Sequence, residues 1–586
     1  MTSIRARLAA DPRLGAGNTI ETLIGYGVDL DEPALAFDTP VDGYPAGHPL
    51  TLGELDRAVA ARAQWLHEAG IGPRDPVAVV APTAADNVLA FLALARLGAI
   101  AALVNARLAP TVATDYIRRL RPTAVLGPRS LMDGAPGGVV PRQRTGQEIP
   151  DPSLAELGIA WLGEVALAGN PDQAPKPYRH HGTDPVAITH SSGTTGVPKA
   201  VTGTHDSLFA AIRHRLTAPR AQGLDRWLSV LPAAHNSTLT ILNLALCNRT
   251  ELLALSTQSG AATLDAIEQF APGTVLGFAG TWSELATADL AGRDLGSVAV
   301  WWNTGDCAHE AHIRRLIATG RHQVPSVDGV VWKAGSVFVD NLGSSELGHS
   351  VFSITHRQDT SRYGRCVGRP DPYAEAAVLD PAGAPVPDGE PGMLAVRTPS
   401  MSPGYWNDSV ATYRSRVNGW LLTGDVVYRD EAGWYYHLDR VPDAITLPDG
   451  TRVYTVLTEE RILAGCPEVT DCTVVATPDG GIQILAQVAD EGAGGDLLAR
   501  VRATLEPGLA GAVRRVVVVS AGQIPLGATG KVRKVALRPA ESATPSGPSD
   551  TGSPQARTGA PHTGPDATTS ARPSAAVGSP VHGASS

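Results

Sequence analysis

The sequence predicts an α/β protein: a large N-terminal part of helix-flanked, mainly parallel sheets, followed by a smaller α/β unit over residues 444–540. Three observations carry this. Strand-like and helix-like stretches alternate from Asp75 to Val104, the order that builds a parallel sheet with helices on its faces. A second set of short apolar strands and helices follows residue 444. The chain has 586 residues, 43% hydrophobic and 18% charged, too many for one ordinary domain and enough for a large core.

The elements follow in order. Thr51-Leu52-Gly53-Glu54 is a capping box, with Glu three residues after Thr. Leu55, Val59, Ala63 and Leu66 then mark one face of a helix that Gly70 ends. Residues 75–81 read as a short buried strand, 84–97 as a helix and 99–104 as a strand leading to Asn105. Residues 130–183, rich in Pro, Gly and Arg, read as a connecting region with little regular structure. Val186 and Ile188 alternate like the end of a strand. Residues 206–215 suit a helix, and 227–231 a strand that ends at Pro232-Ala233-Ala234-His235. Two more apolar strands, 298–303 and 337–340, run into Thr304-Gly305-Asp306 and Asn341-Leu342-Gly343-Ser344-Ser345-Glu346. In the smaller unit, residues 459–463 continue a helix, 471–475 and 482–488 are strands, 497–505 a helix and 513–519 a strand. From Glu541 to Ser586 the chain is mostly Ser, Thr, Pro, Gly and Ala, with only Val577 and Val581 as larger aliphatics and no Phe, Trp or Tyr. Such a segment cannot bury enough surface to offset its ordering, so disorder is expected.

Charge and composition exclude several classes. The formal net charge is −10 and nothing concentrates Lys and Arg, which argues against a nucleic-acid partner. The five cysteines, Cys247, Cys307, Cys366, Cys466 and Cys472, are odd in number and scattered, which suits a reducing cytoplasm. Residues 1–15 have charges but no apolar signal core. The most apolar run, Val88 to Val104, is broken by Arg96 and Gly98 and is too short to span a bilayer. A cytoplasmic protein without a membrane segment is expected.

The chemistry concentrates in Ser191-Ser192-Gly193-Thr194-Thr195-Gly196-Val197-Pro198-Lys199. Glycine lets backbone N–H groups turn toward an anion at low steric cost. A nest of such groups, with hydroxyl donors and a cation nearby, suits a polyphosphate. The spacing is not Walker A, because Pro198 stands where the second Gly belongs and Ala200 follows the Lys. An ordinary Gly/Thr-rich surface loop is the plain alternative.

The stretch resembles the phosphate loop of the adenylate-forming superfamily: acyl-CoA synthetases, adenylation domains of peptide synthetases, and luciferases. Four motifs in the right order carry the resemblance across roughly residues 20–540. It implies an N-terminal AMP-binding domain (1–438), a hinge (439–443), a small mobile C-terminal domain (444–540) and a tail (541–586). It also implies ATP and Mg²⁺. Ser191, Ser192, Gly193, Thr194, Thr195, Gly196 and Lys199 would surround the phosphates, with Thr194 and Glu346 toward the metal. A carboxylate is a hard oxygen ligand suited to Mg²⁺. Asn341–Glu346 resembles the family's Tyr-Gly-x-Thr-Glu, with Leu342 replacing the aromatic. Asp425, after Thr423-Gly424, would accept both ribose hydroxyls, and Arg440 would contact ribose and phosphate. Lys531, closing the Pro525-to-Lys531 motif, would neutralise charge as the bond forms.

The implied reaction is attack of a carboxylate on the α-phosphate of ATP, giving acyl-AMP and pyrophosphate, with Lys531, Glu346 and His235 as catalytic candidates. The pocket candidates His235, Phe278, Trp302, Gly305, Asp306, Leu342 and Gly343 suggest a modest, partly aromatic and partly polar cavity for a small aromatic or amino-aromatic acid. Asp306 and Cys307 depart from the family's small residues and Pro, and no base at a recognisable spacing accompanies Cys307. The commonest second step is transfer to CoA or a carrier-protein thiol. Two departures speak against it: Pro442 at the hinge position, where proline fixes φ, and Thr446 for the lysine of the thiolation loop. The alternatives are activation of nitrite to diazotise an aryl amine, amide formation, and nucleotide binding without chemistry.

Overall fold

The capping box at Thr51 sets the first long helix. Thr51 Oγ1 accepts from the Glu54 amide at 3.2 Å, and Glu54 Oε2 accepts from the Thr51 amide at 2.8 Å. The helix runs Leu52–Glu68, and Gly70, at φ +88°, turns the chain beyond it. A computed structural model of the chain describes residues 3–131, 157–163, 169–191, 197–219, 224–327, 329–489, 496–520, 523–525, 527, 532 and 534–537. The expected disordered tail, 541–586, lies outside the described residues.

Two large sheets carry the N-terminal part. The first has six strands, in the order 160–163, 124–126, 76–81, 100–105, 185–190 and 200–204. All of its pairs are parallel except the last, where His190 lies opposite Ala200. Strand Ile100–Asn105 is buried along its whole length, as a parallel strand covered on both faces must be. The helix Ala84–Leu97 is almost entirely buried, starts on the Thr83 side chain, and stops at Gly98 in a left-handed conformation.

The second sheet has a parallel centre and an antiparallel flank. Strands 33–37, 251–254, 226–229, 274–277, 300–303 and 337–343 run parallel, side by side. Strands 350–356, 366–370, 435–440, 420–429, 392–397 and 375–379 continue it antiparallel. Buried Trp282, Trp301 and Phe338 pack edge-on in the layer below the centre.

The described part of the connecting region 130–183 holds short elements, among them the 3-10 turn Pro171–Gln173 and an edge strand, Ala160–Gly163, where Trp161 donates its indole N–H to the Gly127 carbonyl at 2.9 Å. A strand of four residues at a sheet edge is too short to show a period. The strand at Val337 runs on to Gly343, and Glu346 stands on a 3-10 turn, Ser345–Leu347, beyond it. Pairing with residues 350–356 extends the strand past its apolar stretch.

Beyond residue 444, Val469–Ala476, Ile482–Val488 and Val513–Val518 form a three-stranded sheet under the helix Thr455–Gly465. Its own core includes Ile462, Val474, Ile484 and Val501. Residues 1–539 are nevertheless one compact unit. His309 Nδ1 meets Glu460 Oε2 at 2.6 Å, and His312 Nε2 meets the Thr470 carbonyl at 2.9 Å. Among the described residues no helix is long and apolar enough to cross a membrane. All five cysteines are buried and unpaired.

Candidate active site

The carboxyl ends of the parallel strands open into a cavity of about 650 Å³. Loops there are free to vary while the sheet stays rigid, so ligand sites of open α/β folds collect at these ends. Ser191 follows strand 185–190, Phe278 follows 274–277, and Gly305 and Asp306 follow 300–303; all line the cavity. His235, Trp302, Leu342, Gly343, Glu346, Asp425, Arg440 and Lys199 line it too. Every expected site residue that the structure describes therefore meets in one space. Ser192, Gly193, Thr194, Thr195, Gly196 and Lys531 lie outside the described residues.

The base of the Gly/Thr-rich loop is pinned. The Ser191 amide donates to the Lys199 carbonyl at 3.0 Å, and the Lys199 amide donates to Ser191 Oγ at 3.3 Å. The Lys199 ammonium stands 5.0 Å over the Tyr405 ring. Tyr405 in turn donates its hydroxyl to Glu346 Oε1 at 3.1 Å. Burial and the neighbouring Glu346 push the Tyr405 phenol far up, so it stays a donor.

The Glu346 turn is held from three sides. Its carbonyl accepts from the Ser402 amide at 2.8 Å, the Leu347 carbonyl from Ser400 Oγ at 2.8 Å, and the Gly348 carbonyl from Asn236 Nδ2 at 2.7 Å. Among the described residues Oε2 of Glu346 has no hydrogen bond. A cavity-facing carboxylate with one oxygen to spare fits a divalent cation carried on a polyphosphate.

Asp425 and Arg440 lie directly opposite each other on adjacent antiparallel strands, with Arg440 Nε 3.4 Å from Asp425 Oδ1. Burial pushes the Asp425 carboxyl up, but the adjoining His437 imidazole and the Arg440 charge outweigh it and leave it below its ordinary value. Asp425 is thus an ionised acceptor beside a cation, suited to two hydroxyl hydrogens.

His235 caps the helix Asn236–Asn248: its Nδ1 accepts from the Ser237 amide at 3.1 Å, which puts the ring proton on Nε2. Its ring meets Phe278 edge-on at 4.9 Å. It therefore shapes the helix start as well as the cavity. Cys307 is buried, and burial reinforced by Asp340 pushes its thiol well up, away from nucleophilic use.

Sequence reasoning missed His349, Ser350, Thr240 and Ile241, which also line the cavity. The signal for His349 was faint, a histidine three residues past Glu346. Its Nδ1 donates to the Ser350 carbonyl at 3.2 Å; burial, aided by the Arg215 charge, pushes the ring down to about 3 and keeps it neutral. The Arg215 guanidinium lies 5.2 Å over Trp302. Tyr405, in the Pro403–Trp406 block, was legible as a motif but not as the partner of Glu346.

Ser191 and Lys199 at the end of the first sheet, and Glu346, Asp425 and Arg440 on the second, thus face one cavity, as they do in enzymes that adenylate their substrates. Residues 29–406 match the AMP-binding enzyme family, and the chain belongs to that family. It is 44% identical over 563 residues to a 3-aminoavenalumate diazotase of a Streptomyces species, covering 91% of this chain and 97% of that one. It is 27% identical to a 3-hydroxybenzoate–CoA ligase of Aromatoleum sp. (strain CIB), covering 90% and 97%. Among solved structures, an anthranilate CoA ligase bound to anthranoyl-AMP matches with a TM-score of 0.74 at 19% identity, covering 90% of this chain and 98% of that one. The protein is an ATP-dependent, AMP-forming ligase.

Proposed function

We propose that this enzyme uses ATP to activate nitrite and diazotises an amino-aromatic acid. The observation that carries the reading is the 44% identity, along nearly the whole length of both chains, to a diazotase; CoA ligases and synthases in the same comparison stand at 26–30%. Two features of the chain agree with it. Pro442, at the expected hinge, lines the cavity. The segment Ile445–Gly450 forms a short hairpin with Arg452 and Val453, and carries no lysine.

A nitrite oxygen attacks the α-phosphorus of ATP; the bond to the leaving pyrophosphate breaks, and a nitrosyl adenylate forms. The lone pair of the aryl amine attacks the nitrosyl nitrogen, an N–N bond forms, and the N–O bond to AMP breaks. The two amine hydrogens leave with the remaining nitrite oxygen as water, giving the diazonium. Nothing is oxidised or reduced by an outside agent.

The chain's contribution is positioning and charge neutralisation. In this reading Lys199 and the loop Ser191–Gly196 hold the phosphates. Asp425 accepts the ribose hydroxyls, with Arg440 against ribose and phosphate. Glu346, with Thr194, would hold Mg²⁺, which neutralises phosphate charge. His235, Phe278, Trp302, Gly305, Asp306, Leu342 and Gly343 line the substrate part of the cavity. Lys531, on a C-terminal domain (444–540) that moves about the hinge 439–443, neutralises charge on the α-phosphate. A cytoplasmic setting completes the reading.

A second reading is transfer of an aromatic acyl-AMP to CoA, supported by the fold of the anthranilate CoA ligase and by the aryl-CoA ligases among the relatives. Product analysis with ATP, a panel of amino-aromatic acids, and either nitrite or CoA separates the two. AMP release that requires nitrite and yields a trappable diazonium is the expected result. A CoA thioester formed at the rate of AMP release, without nitrite, would overturn it.

A further inference from the structure

Behind Asp425 lie two buried polar side chains, Arg365 and His437, that the reaction as written does not use. They come from distant segments and meet half-buried Asp306 at the cavity wall. Arg365 Nη1 donates to the Cys307 carbonyl at 2.9 Å, and Nη2 lies 3.4 Å from Asp306 Oδ1 and 3.0 Å from His437 Nδ1. Both Arg365 and His437 are almost wholly buried. Arg365 also holds φ at +66°, a conformation that costs a non-glycine residue free energy and persists only where its surroundings enforce it.

A guanidinium can only donate hydrogen bonds, so His437 Nδ1 must accept, and the ring proton sits on Nε2. That N–H has no hydrogen-bond partner among the described residues, and it lies 3.7 Å from Asp425 Oδ1. A buried donor without a partner costs free energy until one arrives. The gap is a few tenths of an ångström beyond hydrogen-bond reach, and such bonds are commonly long before the ligand binds.

We propose that His437, with its tautomer imposed by Arg365, is a positioning residue for the nucleotide: its Nε2–H closes onto Asp425 as the ribose binds and fixes the carboxylate to face both hydroxyls. This inference rests on the reading of Asp425 as the ribose acceptor. The chain of contacts also explains Asp306, whose carboxylate helps hold the Arg365 guanidinium and lies 3.9 Å from His437 Nδ1. One buried arginine thereby ties the wall at residue 306 to the ribose carboxylate through one imidazole.

The test is calorimetric binding of Mg·ATP and Mg·2′-deoxy-ATP to the full-length protein, with melting temperatures to verify folding. Removing one ribose hydroxyl removes one of the two donors to Asp425, so the ratio of the two dissociation constants reports how well that carboxylate is placed. His437→Asn keeps an acceptor toward Arg365 but is too short to reach Asp425. His437→Gln reaches it with an N–H. We expect His437→Asn to weaken ATP binding about five- to tenfold, the worth of one hydrogen bond, while 2′-deoxy-ATP weakens no more than about twofold. His437→Gln should stay within about twofold of wild type for both. Equal weakening of the two nucleotides in His437→Asn, or no weakening of either, overturns the proposal. Asp425→Asn separates the premises: a collapsed ratio there with an unchanged ratio in His437→Asn rejects His437 alone. An unchanged ratio in Asp425→Asn rejects the ribose reading and the proposal with it.

Discussion

Tyr405 and Glu346 meet at the wall of the cavity, and the proposed reaction gives Oε2 of Glu346 the task of holding the metal. Glu346→Gln keeps the shape and an acceptor for Tyr405 but removes the charge that a metal–phosphate would meet. Turnover should fall about 100-fold or more, the usual scale for losing one charge-stabilising group, with the melting temperature nearly unchanged. Steady-state pyrophosphate release and a thermal melt on the same preparation check both halves. Lys531→Ala should abolish adenylation while leaving Mg·ATP binding within a few-fold, because in the proposed reaction its charge acts on the developing bond rather than on the ground state. Pyrophosphate release close to wild type would remove Lys531 from the mechanism.

The element that presents Glu346 is a single 3-10 turn, too short to hold itself. Gly348 closes it at φ +71°, and a Cβ there would stand 2.0 Å from the Ser400 carbonyl oxygen. Gly348→Ala therefore meets both left-handed strain and a backbone clash, together worth about 3 kcal/mol. We expect a lowered melting temperature and a KM for ATP raised several-fold, since the turn must shift and take Glu346 with it. Unchanged stability would mean that residues near Ser400 yield more easily than their backbone bonding suggests.

Over the whole molecule, buried histidines set the response to acid. His349 is pushed down to about 3, and His180 and His356 to about 4, each chiefly by burial. An unfolded histidine titrates near 6.5. From there down to about pH 4 the unfolded chain binds protons that the folded chain refuses, so stability falls as pH falls. Asp340 works the other way: burial lifts it to about 6, and its folded carboxyl keeps a proton that the unfolded one loses above about pH 4. Among these four groups the three histidines outweigh the carboxyl, with a net loss between pH 7 and pH 5 on the order of 4 kcal/mol. His190, His205 and His312, also lowered by burial, act in the same direction, and Glu21 and Glu459, raised by burial, oppose it. A melting temperature as high at pH 5 as at pH 7 would contradict this. Truncation after Pro539 should leave melting temperature and turnover unchanged, since the removed composition cannot build a core. A large loss of either would show that the tail contributes.

What the chain order alone determined is what short stretches can encode. The Thr51 box, the strand–helix alternation up to Asn105 and the Asp425–Arg440 pair are all legible, because each is decided by neighbours within a turn, a strand or one hairpin. The candidate cavity residues Glu346, Asp425 and Arg440 are legible too, because each stands in a short motif of hydroxyls, glycines and carboxylates. Tertiary structure decided what depends on distant segments. His349 lines the cavity next to Gly348, whose carbonyl is held by Asn236, 112 residues earlier and on a helix, and no local pattern says so. The edge strand at residues 160–163 exists only because residues 124–126 offer it a partner. Asp306, Arg365 and His437 look like unrelated charges in the sequence. They form one network because the sheet sets strand 366–370 beside strand 435–440, and the Arg365 side chain reaches across to the loop after strand 300–303. Burial and long-range hydrogen bonding are properties of the assembled sheet, and these place the network behind Asp425.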